Sequence, residues 1–409
     1  MISEFKHPIV ILENNNIYDE IINIILIKVS NRQGYSKHQM LYYKVMNKLS
    51  LILLIIPFYL ASASELDITL SKVTDNLSEP WGMSFIDDEK LLITEKTGAI
   101  IRVDMKTGAK YEIEHDLNFY YYGQGGLLDI LYHDGYVYVS YSEDRENGYS
   151  STSVARGVYD EKRISFKNIF QAEPPINSGY HFGSRLVVKD GYLYATVGER
   201  GEGMIAQDVS NHPGSIIRIN LDGSIPEDNP KFTSNPDWLP EVYQIGVRNP
   251  QGMAVSPFTN KIYISNHGAK GGDFFGEVKF AENYGWKHIG WGGTNYIGTK
   301  IGDGSAWKPG FTKPLWTWTP SIAVSNIVIY DGEAFPQWKG DVLVTSLKFK
   351  TLYKLKFEND IVREQEVIFE DRIGRIRDLE VNSKGELFLI DSSGSASLWE
   401  LKNNGGIYE

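Results

Sequence analysis

One short pattern recurs six times along this chain: three or four apolar residues that close on a small hydroxyl residue. The copies lie at residues 91–94, 137–140, 193–196, 262–265, 342–345 and, in degenerate form, 387–390. Short runs rich in β-branched and aromatic residues, bounded by Gly, Asp and Asn, are typical of strands, and no long apolar stripe of period 3.6 accompanies them. The chain is therefore predicted to be all-β.

The spacing of the copies indicates how the strands are arranged. Successive copies start 46, 56, 69, 80 and 45 residues apart. The shorter spacings are typical of a four-stranded propeller blade, and the longer ones leave room for loops. Six copies predict a six-bladed β-propeller, a closed ring that protects its edge strands. Two stacked β-sandwiches are the alternative, and in a propeller the strand at residues 66–73 is expected to complete the last blade.

The N-terminal residues predict export. Residues 46–48 (MNK) supply a positive charge, residues 49–60 an apolar run and residues 61–63 (ASA) a cleavage site, which is the pattern of a secretory signal peptide. A membrane-spanning helix would need about 20 apolar residues. Residues 1–45 lie upstream of this complete signal and are interpreted as a non-native extension. Residues 64–409 contain no linker-like stretch and are predicted to form one periplasmic or secreted catalytic propeller without a membrane span.

Charge and cysteine content exclude several classes of function. The chain has 41 Lys and Arg against 52 Asp and Glu, a net charge of −11. Such a surface is repelled by nucleic-acid phosphates and by anionic lipids. The absence of cysteine also excludes disulfides, thiolate metal sites and a cysteine nucleophile. Neither nucleic acid nor a membrane is expected as a partner.

His181 is the first candidate catalytic residue. It lies in a glycine-containing turn (YHFGSR, residues 180–185), and glycine allows close approach of backbone and substrate. Histidine is the usual general base near neutral pH, and the carboxylate of Glu199, one strand later, is suited to fix its tautomer. A structural histidine held by hydrogen bonds is the alternative.

Basic residues at short spacing are the second candidate feature. Arg248 opens a tight turn, where a guanidinium can polarise a carbonyl or clamp an anion. Arg375 and Arg377 flank one residue of a predicted strand and so face one side, and Lys348 and Lys350 have the same spacing. Each pair either lies on a solvated edge or receives an anion, and the pattern alone does not choose.

A glycine-rich segment at residues 267–273 (HGAKGGD) is of a kind that exposes backbone carbonyls. Such oxygens suit hard cations such as Ca²⁺. The segment matches neither an EF-hand loop nor a phosphate-binding loop, so by itself it is a weak indication.

Eight blocks of this sequence, taken in order, resemble those of the soluble aldose sugar dehydrogenases that use pyrroloquinoline quinone (PQQ), a family of six-bladed propellers. The resemblance runs from about residue 77 to the C terminus. The blocks are PWGM (80–83), GQGG (123–126), HFGSR (181–185), GSIIRIN (214–220), RNPQG (248–252), NYGW (283–286), SLK (346–348) and RIR (375–377).

The resemblance implies oxidation of an aldose at C1 to the lactone, with an external quinone or cytochrome as electron acceptor. It makes His181 the base that takes the C1 hydroxyl proton and Glu199 its orienting partner, and the protein is expected to be a monomer or homodimer. The remaining implied roles are substrate and quinone-carbonyl contacts for Gln124 and Arg248, quinone binding for Asn249, Lys348, Arg375, Arg377 and Ser321, a place near the cofactor for His267, and carbonyl ligands to Ca²⁺ from Gly268 and Ala269.

Two departures from the family pattern concern calcium. The usual Gly-Pro of the calcium loop is Gly268-Ala269 here, which keeps both carbonyls but loses the rigidity of proline, so weaker calcium binding is expected. The family's Asp-Glu-Ile-Asn run corresponds to residues 273–276 (DFFG), so Phe274 stands where some members have the glutamate of a second, structural calcium site. Glu277 is only a weak substitute.

Two other functions remain open. A calcium-dependent propeller hydrolase, such as a lactonase, would need a metal held mainly by side-chain carboxylates and amides, and no cluster of such residues recurs at blade spacing. A non-catalytic sugar-binding propeller would keep His181 as a structural residue.

Overall fold

The computed structural model describes residues 67–405, and these residues form a six-bladed β-propeller with a single short helix, α1 (Pro230–Thr233). The strands are β1 (Ile68–Leu77), β2 (Pro80–Asp87), β3 (Lys90–Glu95), β4 (Ile100–Asp104), β5 (Lys110–His115), β6 (Leu127–His133), β7 (Tyr136–Asp144), β8 (Ser150–Val158), β9 (Arg163–Ile164), β10 (Lys167–Gln171), β11 (Gly183–Lys189), β12 (Tyr192–Val197), β13 (Ser215–Asn220), β14 (Val242–Ile245), β15 (Pro250–Val255), β16 (Ile262–Asn266), β17 (Asp273–Glu277), β18 (Trp316–Trp318), β19 (Val324–Ile329), β20 (Val342–Ser346), β21 (Thr351–Glu358), β22 (Ile361–Glu370), β23 (Ile376–Val381), β24 (Leu387–Asp391) and β25 (Ala396–Asn403). Two 3₁₀ turns, Gly203–Gln207 and Pro336–Trp338, complete the regular structure.

Each blade is a four-stranded sheet, and blade 1 carries β9 as a fifth strand. From the inner to the outer strand, the blades are β2-β3-β4-β5-β9, β6-β7-β8-β10, β11-β12-β13-β14, β15-β16-β17-β18, β19-β20-β21-β22 and β23-β24-β25-β1. The six inner strands pack against one another around the ring, and β23 packs against β2. The alternative of two stacked sandwiches is therefore wrong.

The N-terminal strand closes the ring, as predicted. β1 pairs antiparallel with β25, from Ile68 opposite Asn403 to Leu77 opposite Ala396. The strand runs over residues 68–77 rather than 66–73. The outer strand of the last blade is thus supplied by the start of the propeller, which joins the first and last blades without an open edge.

The six copies of the repeated pattern are the second strands of the six blades, and the structure explains their terminal hydroxyl. Thr196 on β12 accepts a hydrogen bond from the backbone N–H of Arg185 on its own inner strand (2.9 Å). It donates to the carbonyl of Pro250 on the next inner strand (2.8 Å). Ser140 makes the equivalent pair of bonds, with Asp129 N and Ser184 O. In blades 2 and 3 this small hydroxyl therefore links one blade to the next.

The apolar core lies between neighbouring blades. Leu92 and Ile93 are adjacent on β3 and both fully buried, but Leu92 packs with Val137 of blade 2 whereas Ile93 packs with Phe388 of blade 6. Successive side chains of a strand point to opposite faces, so a blade covered on both sides buries every residue in turn. This is why the repeated strands read as continuous apolar runs.

One prediction about a strand is wrong. β20 ends at Ser346, so Lys348 and Lys350 lie in the turn at residues 347–350 instead of on one strand face. Lys350 has a φ of 52° and pairs with Asp371 at the surface (2.7 Å), which separates it from Lys348. The two lysines do not act as a pair.

The predicted extension (residues 1–45) and signal peptide (residues 46–63) lie outside the described residues. Within residues 67–405, no helix has the length and apolar character needed to cross a membrane.

Candidate active site

A pocket of about 210 Å³ is formed by the segments that lead into the inner strands. Seven of the predicted site residues line it, namely Gln124, His181, Arg248, Asn249, His267, Arg375 and Arg377. The other five, Glu199, Gly268, Ala269, Ser321 and Lys348, are not among its lining residues but contact this set or one another. The pocket therefore gathers residues from positions 124 to 377 of the chain.

The turn that carries His181 is tightly constrained. His181 itself has a φ of 51°, and a Cβ added to Gly198 would lie 2.0 Å from its carbonyl oxygen, so glycine is required at residue 198. The side-chain oxygen of Gln124 accepts a hydrogen bond from the N–H of His181 (2.9 Å). The side-chain oxygen of Asn249 accepts one from the N–H of Gly183 (3.0 Å). Two predicted site residues thus hold the backbone of the histidine turn.

His181 and Glu199 form a buried histidine–carboxylate pair. Nδ1 of His181 lies 2.7 Å from Oε1 of Glu199, whose Oε2 accepts a hydrogen bond from the N–H of Gly203 (2.8 Å). Burial lowers the pKa of His181 below its usual 6.5, helped by Arg248 and Arg200 and opposed by Glu199. At neutral pH the ring is therefore neutral, with its proton on Nδ1 toward the carboxylate and Nε2 free to accept a proton.

The carboxylate of Glu199 stays ionised in spite of its burial. Burial alone would raise its pKa, but the hydrogen bond from His181, the N–H of Gly203 and the charge of Arg248 together lower it. Nε of Arg248 lies 4.0 Å from Oε1 of Glu199.

Arg375 and Arg377 form a cationic cluster that makes no direct ion pair with an acid of the described residues. Among residues 67–405, no carboxylate oxygen lies within 4 Å of either guanidinium. Burial lowers the pKa of Arg377 to about 9, with Arg375 and Arg185 adding like charge. Nη1 of Arg377 donates to Oε1 of Gln251 (2.8 Å). Arg375 is exposed and Arg377 is half-buried, and the charges of Asp378 and Glu79 act on Arg377 without contacting it. Two guanidinium groups that no carboxylate contacts are suited to binding an anion.

His267 and Arg248 connect this cluster to the histidine pair. Nε2 of His267 lies 3.1 Å from Oε1 of Gln251, and burial, with Arg248 and Arg377 nearby, holds the pKa of His267 well below 6.5. Nη1 of Arg248 donates to the carbonyl of His267 (3.4 Å). His267 is thus a neutral ring among cations.

The loop at residues 267–273 is organised by Asp273. This buried carboxylate accepts hydrogen bonds from the N–H of Gly268 (2.8 Å) and the N–H of Ala323 (2.7 Å). The hydroxyl of Ser321 lies 2.7 Å from Oδ1 of Asp273 and 3.0 Å from the carbonyl oxygen of Ala269. Ser321 is therefore engaged with this loop, behind the pocket lining.

Lys348 lies at the same loop, because its Nζ donates to the carbonyl of Ser321 (3.2 Å). Its side chain is exposed and does not line the pocket.

Phe274 is part of the core rather than of a metal site. It is fully buried against the rings of Tyr284 (4.6 Å between centroids) and Trp291 (4.7 Å). Glu277 lies 3.6 Å from the ammonium group of Lys261. The position where some relatives carry a calcium-binding glutamate is therefore filled by an aromatic cluster.

Several lining residues were not predicted as site residues, among them Gln251, Trp81, Lys96 and Tyr296. Gln251 stands in the RNPQG block beside Arg248 and Asn249, and this position is the signal that could have identified it. Trp81 and Arg185 stand inside blocks recognised by resemblance, and the guanidinium of Arg185 lies 4.6 Å from the centre of the Trp81 indole. This contact joins different blades, so it depends on closure of the propeller. Arg185 is held there by Asp129 (2.7 Å) and Asp378 (3.0 Å).

Fold and pocket together define a β-propeller with a neutral histidine–carboxylate pair beside a cationic cluster. Residues 77–400 match the Glucose / Sorbosone dehydrogenase family model. The chain belongs to this family of sugar dehydrogenases.

Similar proteins agree with this assignment. The chain is 32% identical over 347 residues to aldose sugar dehydrogenase YliI of Escherichia coli, which covers 82% of this chain and 93% of that protein. It is 25% identical over 392 residues to quinoprotein glucose dehydrogenase B of Acinetobacter calcoaceticus, with 74% and 80% covered. The crystal structure of the soluble aldose sugar dehydrogenase of Escherichia coli in the apo-form matches with a TM-score of 0.79 at 31% identity, over 83% of this chain and 100% of that one.

Proposed function

We propose that this protein is a PQQ-dependent aldose dehydrogenase that oxidises the C1 hydroxyl of an aldose to the lactone. The observation that carries the proposal is the pocket in which neutral His181, paired with Glu199, lies beside the guanidinium groups of Arg375 and Arg377, which no carboxylate of the described residues contacts. The printed names of two relatives, an aldose sugar dehydrogenase and a quinoprotein glucose dehydrogenase, support the same function.

His181 acts as the general base in this proposal. Its free Nε2 takes the proton of the C1 hydroxyl, while Glu199 keeps the proton on Nδ1 and stabilises the imidazolium that forms. The C1 hydrogen leaves with its electron pair, so C1 becomes the carbonyl carbon of the lactone. PQQ, when bound, supplies the electrophilic quinone that accepts this hydride. Gln124 and Arg248 are proposed to contact the substrate and the reacting carbonyl.

The chain's cations suit a cofactor with three carboxylates. Arg375, Arg377 and Asn249 line the pocket and are proposed to bind its carboxylate and quinone oxygens. Lys348 and Ser321, which lie behind the lining at the loop of residues 267–273, are proposed to complete the site. Neutral His267 is proposed to lie beside the cofactor without adding charge.

Calcium is proposed to bind at the carbonyl oxygens of Gly268 and Ala269. Backbone carbonyls are suitable ligands for this hard cation, which would polarise the quinone. Two carbonyls are too few to hold it, so the cofactor and water must supply the rest. Among residues 67–405, no group of three His, Asp or Glu side chains is placed to hold a metal, which argues against the lactonase alternative.

We also propose that the protein is periplasmic or secreted, on the basis of the signal-like residues 46–63. An external quinone or cytochrome would then receive the electrons. We propose no second calcium site.

Reconstitution tests the proposed function. Apo protein is mixed with PQQ and Ca²⁺, and the reduction of a redox dye is followed with a panel of aldoses. We expect turnover that requires both additions and falls about 10²–10⁴-fold in His181→Ala, the range lost with a general base. If the loaded parent reduces dye with none of the aldoses, the proposal is wrong. A His181→Ala variant within a few fold of the parent would remove His181 from the mechanism.

A further inference from the structure

Arg200 is a buried guanidinium to which the proposed mechanism assigns no role. Its side chain is 2% exposed, and among the described residues no carboxylate oxygen lies within 4 Å of it. Burial lowers the pKa of Arg200 to about 9, and the charge of Glu199 only partly opposes this. A buried charge without an ion-pair partner is costly, so its hydrogen bonds have to offset that cost.

Those hydrogen bonds end on the segment that carries His181. Nε of Arg200 donates to the carbonyl of Tyr180 (3.0 Å), and Nη2 donates to the carbonyl of Ser178. The guanidinium also lies 3.7 Å from the ring centroid of Phe182. The residues on both sides of His181 in the chain are thus in contact with one guanidinium group.

The other side of the guanidinium is anchored to blade 2. Nη1 donates to the carbonyl of Ser150 (2.7 Å) and Nη2 to its hydroxyl (3.0 Å), at the first residue of β8. In addition, the backbone N–H of Arg200 donates to the carbonyl of His181 (3.2 Å). Arg200 therefore ties the histidine turn to a rigid strand of the neighbouring blade.

The turn needs such support because of its backbone conformation. His181 has a φ of 51° and Ser184 a φ of 86°, which are left-handed values that non-glycine residues adopt only at a cost. The planar guanidinium group of arginine has five N–H donors in fixed directions, so it can bind several carbonyls at once, whereas a lysine ammonium cannot hold them in such directions.

Arg200 also contributes to the charge around His181. The ionisable groups that face the imidazole are Glu199, Arg248, Arg200 and His267. The positive charges of Arg248 and Arg200 disfavour the imidazolium, and the negative charge of Glu199 favours it. Loss of Arg200 would therefore make His181 easier to protonate.

We propose that Arg200 is a positioning residue that holds the His181 turn in its left-handed conformation and keeps the imidazole neutral. The catalytic part of this inference rests on the proposed function, in which His181 is the base. The structural part does not, because the hydrogen bonds and the charge act on His181 whether or not it catalyses.

The test compares Arg200→Met with Arg200→Lys. In apo protein, the pKa of His181 is measured by NMR of ¹³C-labelled histidine, with the resonance assigned through His181→Asn. We expect Arg200→Met to raise this pKa, because a positive charge is lost, and to lower kcat about 10-fold or more, because the base is misplaced. Arg200→Lys should keep the pKa of His181 near that of the parent, but it should lower kcat because lysine lacks the planar guanidinium group.

Arg218→Met is the matched control, since Arg218 is also a buried arginine of blade 3 that lies over an aromatic ring (Tyr192, 4.6 Å). It should lose stability without changing the pKa of His181. Arg200→Met with the parent's pKa of His181 and kcat within 2-fold would overturn the proposal. If Arg200→Met does not fold, Arg200→Lys decides, and parental kcat in that variant overturns it. If the parent itself oxidises no aldose, the proposed function fails, while the NMR titration still decides whether Arg200 controls His181.

Discussion

At the scale of single residues, the site depends on keeping one imidazole neutral beside one ionised carboxylate. Burial and the charges of Arg248 and Arg200 lower the pKa of His181, whereas Glu199 acts in the opposite direction. The imidazole of His181 therefore stays neutral at pH values below the usual pKa of histidine. The 2.7 Å contact with Glu199 holds its one proton on Nδ1. Both conditions are needed for Nε2 to accept a proton.

This balance predicts a pH dependence. For the parent, kcat/KM should rise with pH as His181 loses its proton, with a midpoint below 6.5. Glu199→Gln removes the carboxylate that favours the imidazolium, so the midpoint should move to still lower pH. The kcat/KM that Glu199→Gln reaches at high pH should be about 10-fold or more below that of the parent, because the imidazolium formed in the reaction loses its counter-charge. pH–rate profiles of the two proteins measure both effects, and a midpoint that moves to higher pH would contradict the electrostatic account.

At the scale of elements, the entry to β23 supplies the two arginines of the proposed anion site. Replacing Arg375 and Arg377 together by Gln should weaken PQQ binding by about 3 kcal/mol or more, since hydrogen bonds to charged groups contribute about 1.5–3 kcal/mol each. Apo stability should hold or rise, because burial and like charge lower the pKa of Arg377 and so disfavour its charged form in the fold. Calorimetry and thermal unfolding measure the two effects. Parental PQQ affinity in the double variant would remove the main physical support for the cofactor.

The hydroxyl of Thr196, which ends the third copy of the repeated pattern, gives a second prediction at this scale. Thr196→Val keeps the side-chain shape but leaves the N–H of Arg185 and the carbonyl of Pro250 without their partner. We expect a loss of about 1–3 kcal/mol in the free energy of unfolding, the cost of leaving buried polar groups unpaired. Thr196→Ser keeps the hydroxyl and is the control, with a smaller loss. If urea unfolding gives the same value for Thr196→Val as for Thr196→Ser, the blade-linking role is wrong.

The repeated strands were predictable because the apolar run that closes on a hydroxyl is a local sequence signature, and in blades 1 to 3 that hydroxyl bonds to two neighbouring inner strands. Arg375 and Arg377 line one pocket, but not as two residues of one strand, because β23 begins at Ile376 and Arg375 precedes it. Lys348 and Lys350 were misplaced because alternation was applied past the end of β20, where the chain turns. The contacts of Arg200 with Ser150, 50 residues away, depend on how two blades pack together. A local sequence pattern cannot predict such a contact.

At the scale of the whole molecule, the calcium loop and the cationic cluster should act together. Gly268 and Ala269 offer only two carbonyl ligands, so bound PQQ has to supply others, and each ligand should strengthen the binding of the other. Titration calorimetry of PQQ in excess Ca²⁺ and in chelator measures this coupling. Equal affinities under the two conditions would show that calcium does not belong to the cofactor site.

The ring brings together a base from the turn before β11, a cationic pair from the entry to β23 and a carbonyl loop after β16. The central claim is that these three parts serve one hydride transfer from C1 of an aldose. Its most direct test is anaerobic stopped-flow mixing of the PQQ- and Ca²⁺-loaded protein with an aldose carrying hydrogen or deuterium at C1. The account predicts reduction of the bound quinone that is several-fold slower with deuterium and almost absent in His181→Ala. A bound quinone whose spectrum no aldose changes would contradict it.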